Sequence, residues 1–328
     1  MSARSAVGAG EFDLIARIAA RSRGRADVLL GIGDDAALLA TPPAGEALCV
    51  CVDTLNVGVH FPDGTAPFDI GWKALAVNLS DLAAMGATPR WATLALSLPS
   101  SDPAFVDPLI DGLLSLAEQH SVALVGGDTT RGPLSLSVQA IGSVAPTRAL
   151  RRDGARVGDA IYLSGSTGDA AAGLAIVQQR IECSDPQVAR ALRTRLDRPT
   201  PRVELGQALA GTAHACIDIS DGLLADLGHV LRASAVGAVL DLDALPVSSA
   251  LRALRPDAEQ RWPLQLAGGD DYELLVCGET ADIEALPEFA RGELTRIGRI
   301  ESTQGLRFER GGHAFAYRAE RCGYEHFG

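Results

Sequence analysis

Apolar positions recur along this chain with two periods, and the two alternate. Phe12, Leu14, Ile15 and Ile18 sit at helical spacing, and the same period predicts helices over 69–85 and 103–120. Runs rich in Leu, Val, Ile and Ala at 29–32, 47–52, 92–98, 122–125 and 134–141 read instead as strands. Strand and helix signals in alternation predict a mixed α/β protein, not a helical bundle or a sandwich. Periodicity lapses over 145–159 (APTRALRRDGARVGD), where Pro, Gly and arginines cluster. That shift places a domain boundary near residue 150, giving domains 1–150 and 151–328.

The second half resumes with a strand at 160–163, a Gly/Ser turn at 164–168 and an Ala-rich helix to about 179. A polar stretch holding Arg198-Pro199-Thr200-Pro201 precedes a helix to 210 and a strand at 215–219. Ser220-Asp221-Gly222 breaks that strand into a helix over 223–233, and strands at 238–242 and 272–277 close the pattern. No repeat of 20 to 50 residues is visible, which argues against a solenoid.

Charge and composition narrow the function classes. Among 328 residues, Lys+Arg 29 against Asp+Glu 41 leaves a net charge of −12, so no overall field draws in nucleic acid or an anionic membrane. Residues 1–10 lack the apolar stretch of a leader, and no apolar run reaches the length of a membrane span, so a cytoplasmic protein is expected. Lys73 is the only lysine, which rules out a G-x-x-x-x-G-K-[ST] phosphate loop. Its place on a helix predicts a side chain that snorkels to the surface, without a chemical role. The six cysteines include no C-x-x-C pair; Cys49 and Cys51 share a strand face and read as small buried hydrophobes.

Aspartate placed beside glycine, or at the end of an apolar run, recurs throughout. The segments are GIGDDAAL (31–38), CVDTL (51–55), VNLSDLAAMGA (77–87), LVGGDTTRG (124–132), CIDISDGL (216–223) and LAGGDDYELL (266–275). One such aspartate ordinarily accepts backbone N–H groups at a turn or helix start. Six in one chain point further, because carboxylates gathered at strand ends repel each other unless cations join them. Oxygen-only ligands select Mg²⁺, Mn²⁺ or Ca²⁺ over zinc, and Mg²⁺ completes its shell with water and phosphate. The combined signal is a site holding several Mg²⁺ ions for a polyphosphate.

These six segments, in order and over nearly the whole chain, resemble the thiamine-monophosphate kinase family. Its superfamily also holds aminoimidazole ribonucleotide synthetase, selenophosphate synthetase and a hydrogenase maturation protein. The runs FDIGWKALAVNLSDLAAMGATPRW, VGGDTTRGPLS and IDISDGLLADLGH carry the resemblance. It implies a two-domain α/β fold: an amino-terminal ATP- and Mg²⁺-binding domain that pairs with its twin in a homodimer, and a carboxy-terminal α/β domain.

The resemblance implies Mg²⁺ ligands at Asp34, Asp53, Asp81, Asp128, Asp218 and Asp221, with K⁺ as a further candidate ion. It implies ATP contacts at Gly127, Asp128, Arg152 and Ser220, and thiamine phosphate contacts at His60, Asp270 and Tyr324. It implies no catalytic side chain beyond the metal-binding carboxylates. Three positions depart from the family's usual wording: Cys51-Val52 stands where Ser-Thr is frequent, Asp270 where glutamate is frequent, and Tyr324 where tryptophan is frequent.

The implied reaction is transfer of the γ-phosphoryl group of ATP to the phosphate of thiamine monophosphate. A phosphate monoester has a second pKa of about 6, so the acceptor is already an anion at neutral pH and needs no general base. Two rivals remain. One is another superfamily member, against which stand the missing amino-terminal cysteine of selenophosphate synthetase and the wording of the two longest runs. The other is a silent nucleotide-binding protein, against which stands the presence of every acidic segment.

Overall fold

The computed structural model describes residues 10–22 and 24–324, without the side chains of Glu11 and Phe12. The 1–9 stretch and the Phe12 side chain of the amino-terminal reading therefore lie outside the described residues. The chain divides into two compact units. The first holds residues up to Asn78 together with Pro89–Ser143, and the second holds Leu79–Thr88 and the chain from Val144 onward.

The first unit contains α1 (Glu11–Arg21), β1 (Val28–Leu30), β2 (Leu38–Leu39), β3 (Ala47–Asn56), α2 (Pro67–Ala84), β4 (Thr88–Leu98), α3 (Pro103–Gln119), β5 (Ala123–Arg131) and β6 (Ser135–Val144). The last residues of α2 group with the second unit. A four-stranded sheet runs β3-β6-β4-β5, and β1 pairs with β2. β4 and β5 are parallel, as a strand-helix-strand crossover through α3 requires. α3 starts where Asp102 accepts the Ala104 N–H at 3.0 Å, and Pro103 needs no donor in the first turn. α2 and α3 approach closely because glycines meet there: a Cβ on Gly71 would lie 1.8 Å from the Leu109 carbonyl oxygen, and one on Gly112 1.9 Å from that of Phe68.

The second unit contains β7 (Ala160–Ser164), α4 (Asp169–Val177), α5 (Pro186–Asp197), α6 (Val203–Leu209), β8 (Ala215–Asp218), α7 (Leu223–Ser234), β9 (Gly237–Asp241), α8 (Ser249–Leu254), α9 (Ala258–Ala267), β10 (Leu274–Gly278), β11 (Leu294–Glu301), β12 (Gly305–Arg310) and β13 (His313–Phe315). Its seven-stranded sheet runs β13-β12-β9-β11-β7-β10-β8 and is mixed, with β12 parallel to β9 and the other pairs antiparallel. β7, β8 and β10 are buried at every position. Leu163, Ile217 and Leu275 of these strands join Leu227 and Val230 of α7 and Trp262 of α9 in one core, and each such side chain contributes about 1.5 to 3 kcal/mol by leaving water.

The structure corrects the sequence reading in several places. β11, β12 and β13 follow the strand expected to be last. Their charged residues hide the alternation: Ile297 and Ile300 point inward at 0% and 1% exposure, while Arg299 pairs with Glu301 and Glu309 and Arg307 with Glu301. α5 occupies part of the stretch read as polar. Asp185 caps it, accepting the Gln187 N–H at 2.8 Å, and it buries only Leu192, Leu196 and Asp197. Lys73 is not a snorkelling surface residue. It is 2% exposed, and its Nζ donates to the His60 carbonyl at 3.0 Å. Among the described residues, no helix is long and apolar enough to cross a membrane.

Candidate active site

In the first unit, the GIGDD and GGDTT segments meet at a cavity of about 630 Å³. Asp34, Asp35, Gly127 and Asp128 line it, together with Ile15 and Ile18 of α1, Ile32, Leu94 and Gly126. Asp34, Asp35 and Asp128 are exposed. The Asp35 N–H donates to Asp34 Oδ1 at 2.9 Å, which orients that carboxylate within its own turn. The β4–β5 register shifts between Ala92 and Thr93, so β5 bulges at Val125 and turns its end toward the cavity. Gly127 follows with φ 151°, and a Cβ there would fall 1.9 Å from the Leu94 carbonyl oxygen. Only glycine fits, which leaves bare backbone beside Asp128.

Asp53 and His60 belong to β3 and the turn after it, and neither lines that cavity. The half-buried Asp53 has its N–H on Asn78 Oδ1 at 3.2 Å, and the Cys51 thiol lies 3.3 Å from the Asn78 carbonyl oxygen. Asn78 is fully buried, and its Nδ2 donates to the Ala74 carbonyl at 3.0 Å. It is a clamp between α2 and β3 that the sequence reading left unassigned. Val52, at 62% exposure, points the other way. His60 Nδ1 accepts the Asn56 N–H at 3.0 Å, so a neutral ring carries its proton on Nε2.

In the second unit, the loop from β8 to α7 is the centre. Asp218 ends β8 at 4% exposure, and its Oδ2 accepts the Ser80 hydroxyl at 2.7 Å, one residue before Asp81. The backbone N–H groups of Ser220, Asp221 and Gly222 all donate to Asp226 Oδ2, each at 3.1 Å. Burial pushes the Asp226 carboxyl up to about 7, and the charges of Asp218 and Asp221 add to the effect against those hydrogen bonds. The acidic groups on this loop crowd one another.

The GGDDYEL segment packs on the same loop. Asp270 donates its N–H to the Ser220 carbonyl and Tyr272 donates to that of Ile219, both at 2.8 Å, while the Tyr324 N–H reaches the Asp221 carbonyl at 3.0 Å. Asp270 and Tyr272 have φ of 67° and 52°, left-handed conformations that cost on the order of 1 to 3 kcal/mol for a non-glycine residue. β10 therefore begins at Leu274, two residues later than its apolar pattern predicts. Glu273, 0% exposed, holds the segment from below, pairing with Arg195 at 2.8 Å and Arg202 at 2.6 Å and accepting the Ser164 hydroxyl at 2.6 Å. Arg152 is exposed, and its carbonyl accepts the Ser234 hydroxyl of α7 at 3.0 Å.

The structure thus brings Asp34, Gly127 and Asp128 together in the first unit, and Asp218, Ser220, Asp221, Asp270 and Tyr324 together in the second. Two family models match these parts: the AIR synthase related protein, N-terminal domain over residues 33–144, and its C-terminal domain over residues 156–310. The sequence is 47% identical to the thiamine-monophosphate kinase of Escherichia coli strain K12, over 97% of this chain and 98% of that relative. This chain belongs to the thiamine-monophosphate kinase family.

Solved structures of the family agree. The crystal structure of thiamine-monophosphate kinase from Stenotrophomonas maltophilia K279a has a TM-score of 0.81 and 52% identity, covering 94% of this chain and 99% of that one. The structure of AaThiL complexed with AMPPCP and TMP has a TM-score of 0.76 and 33% identity, covering 97% of each chain. Asn78, Ser80, Asp226 and Glu273, which hold the acidic segments, were given no role by sequence reasoning, and Lys73, which holds the His60 carbonyl, was misread; the roles of all five emerge from the structure. A signal existed for three of them, since buried polar residues inside apolar helical runs, as in GWKALAVNLSD, call for a partner.

Proposed function

We propose that the protein transfers the γ-phosphoryl group of ATP to the phosphate of thiamine monophosphate, giving thiamine diphosphate and ADP. The observation that carries this reading is near full-length identity of 47% to a thiamine-monophosphate kinase, with every acidic segment present. Phosphoryl transfer between two phosphates asks the protein for alignment and charge compensation, since the acceptor is ionised on arrival. In this reading Gly127 offers its backbone beside Asp128, Ser220 and Arg152 bind the nucleotide, and His60, Asp270 and Tyr324 bind thiamine monophosphate. His60 has its Nδ1 engaged by the Asn56 N–H.

Asp34, Asp53, Asp81, Asp128, Asp218 and Asp221 would hold Mg²⁺, with K⁺ as a further ion. The donor set fits: it is all carboxylate oxygen, it crowds on the 218–226 loop, and Asp34 and Asp128 open onto one cavity. Among the described residues no three His, Cys, Asp or Glu side chains gather tightly enough to encase an ion. When bound, Mg²⁺ would supply charge neutralisation to the phosphates.

The reading extends to a cytoplasmic homodimer with no nucleic-acid or membrane partner, in which residues 1–150 form the ATP-binding and pairing domain and 151–328 the carboxy-terminal domain. Support for pairing is the outer face of the edge strand β3, where Leu48, Val50 and Val52 are 55%, 51% and 62% exposed. Conversion of thiamine monophosphate to the diphosphate, with equimolar ADP, tests the activity. Retention of thiamine monophosphate beside intact ATP would end it.

A further inference from the structure

The GGDDYEL segment alternates between two roles. Asp271 and Glu273 face inward at 1% and 0% exposure. Both Asp271 oxygens accept the Gly168 N–H, at 3.0 and 2.9 Å, and Glu273 is held by Arg195, Arg202 and Ser164. Asp270, before these anchors, and Tyr272, between them, are half-buried and left-handed. Such a backbone suits Gly, Asn or Asp and disfavours tyrosine. What Tyr272 contributes therefore lies in its side chain, and the Tyr272 hydroxyl donates to Asp270 Oδ1 at 3.0 Å.

Both residues are also tied to the loop that carries Ser220 and Asp221, through the Ile219 and Ser220 carbonyls. Their placement is rigid on both sides. We propose that Tyr272 is a positioning residue for substrate recognition: its hydroxyl sets the Asp270 carboxylate, and the two together form a recognition pair for a cationic heteroaromatic ring. The inference rests on the thiamine monophosphate reading above, because the thiazolium ring of that substrate carries the positive charge. A carboxylate answers the charge directly, and the face of a phenol ring attracts a cation as well. A substrate with a phosphate but no cationic ring gains nothing from the pair, so Tyr272 separates thiamine monophosphate from simple phosphate monoesters.

Steady-state kinetics on the full chain test this, varying thiamine monophosphate at saturating ATP and ATP at saturating thiamine monophosphate. Tyr272→Phe keeps the ring and loses the hydroxyl, and should raise the KM for thiamine monophosphate about tenfold, the effect of one hydrogen bond to a charged group. Tyr272→Asn suits the left-handed backbone and loses the ring as well, and should raise that KM about fiftyfold without lowering thermal stability. In both, the KM for ATP stays within about twofold of the parent, since only the acceptor subsite changes.

A thiamine monophosphate KM within twofold of the parent in the folded variants would overturn the assignment, as would an equal rise in both KM values, which marks a collapsed Ser220 loop. Should Tyr272→Asn not fold, Tyr272→Phe decides alone. A parent protein that does not phosphorylate thiamine monophosphate would overturn the functional reading and this assignment with it. A parent that does, beside unaffected variants, would overturn the assignment alone.

Discussion

The two units place acidic residues at glycine-rich turns in different environments. In the first, Asp34 and Asp128 stand exposed around a cavity, and the hydrogen bond recorded for Asp34 comes from the next residue in its own turn. In the second, Asp169, Asp226, Asp271 and Glu273, none of them in the proposed Mg²⁺ set, are buried and hydrogen-bonded to hydroxyls, backbone N–H groups or arginines. Exposure separates the two groups. An open carboxylate can take a ligand at little cost, whereas a buried one already compensates a specific donor and holds a loop in place.

If that separation is right, substitutions in the two regions should fail in different ways. Asp128→Asn should lower kcat about a thousandfold or more, near 4 kcal/mol of transition-state stabilisation, while leaving the thermal midpoint unchanged. Near-parental kcat in the folded variant would break the comparison at its open end. Glu273→Ala should act on the fold instead. It leaves Arg195 and Arg202 without their buried partner, at a cost of about 3 kcal/mol, the low end for such pairs because both arginines keep some solvent contact. Denaturant unfolding reads this directly, and an unchanged midpoint would mean that the cluster does not support the GGDDYEL segment.

A third variant sits between the two classes. Lys73→Met fills the same buried space but withdraws the donor to the His60 carbonyl, so a loss of about 1 to 3 kcal/mol is expected, together with a raised KM for thiamine monophosphate. Full stability would show that the ammonium is dispensable there.

The smallest effect is a pH dependence. Burial raises the carboxyls of Asp169 and Asp271 above their ordinary range, so between the unfolded value of about 4 and the higher folded values the native state binds more protons than the unfolded chain. Their contribution to stability is complete at low pH and is lost as pH rises through that window. Asp271→Asn, which keeps an acceptor for the Gly168 N–H, should flatten this fall. An equally steep profile in the variant would place the titration elsewhere.

How much of this was legible in the sequence divides along similar lines. Strands β3, β4 and β6 and helices α2, α3 and α7 follow from apolar periodicity, because each buries one face or a continuous run. β11 and β12 did not, since their outward positions carry Arg299, Glu301, Arg307 and Glu309, which pair across strands and read as loop when taken singly. The acidic segments were visible because glycine beside aspartate is a local signal. Their supports were not, because Ser80 meets Asp218 and Arg202 meets Glu273 across long stretches of chain, and no spacing rule reports a contact of that range. Lys73 was misread for the same reason: helical position alone does not reveal the His60 carbonyl that it meets.

The central claim is that this site phosphorylates a phosphate and not an alcohol. Thiamine needs a base placed to take its hydroxyl proton, whereas thiamine monophosphate arrives ionised, with a second pKa of about 6. The direct measurement incubates the protein with ATP, Mg²⁺ and either acceptor, and separates thiamine, its phosphates and the adenine nucleotides by chromatography. Thiamine diphosphate and ADP should form in equal amounts from thiamine monophosphate, with no thiamine monophosphate formed from thiamine. Phosphorylation of thiamine at a comparable rate would contradict the account.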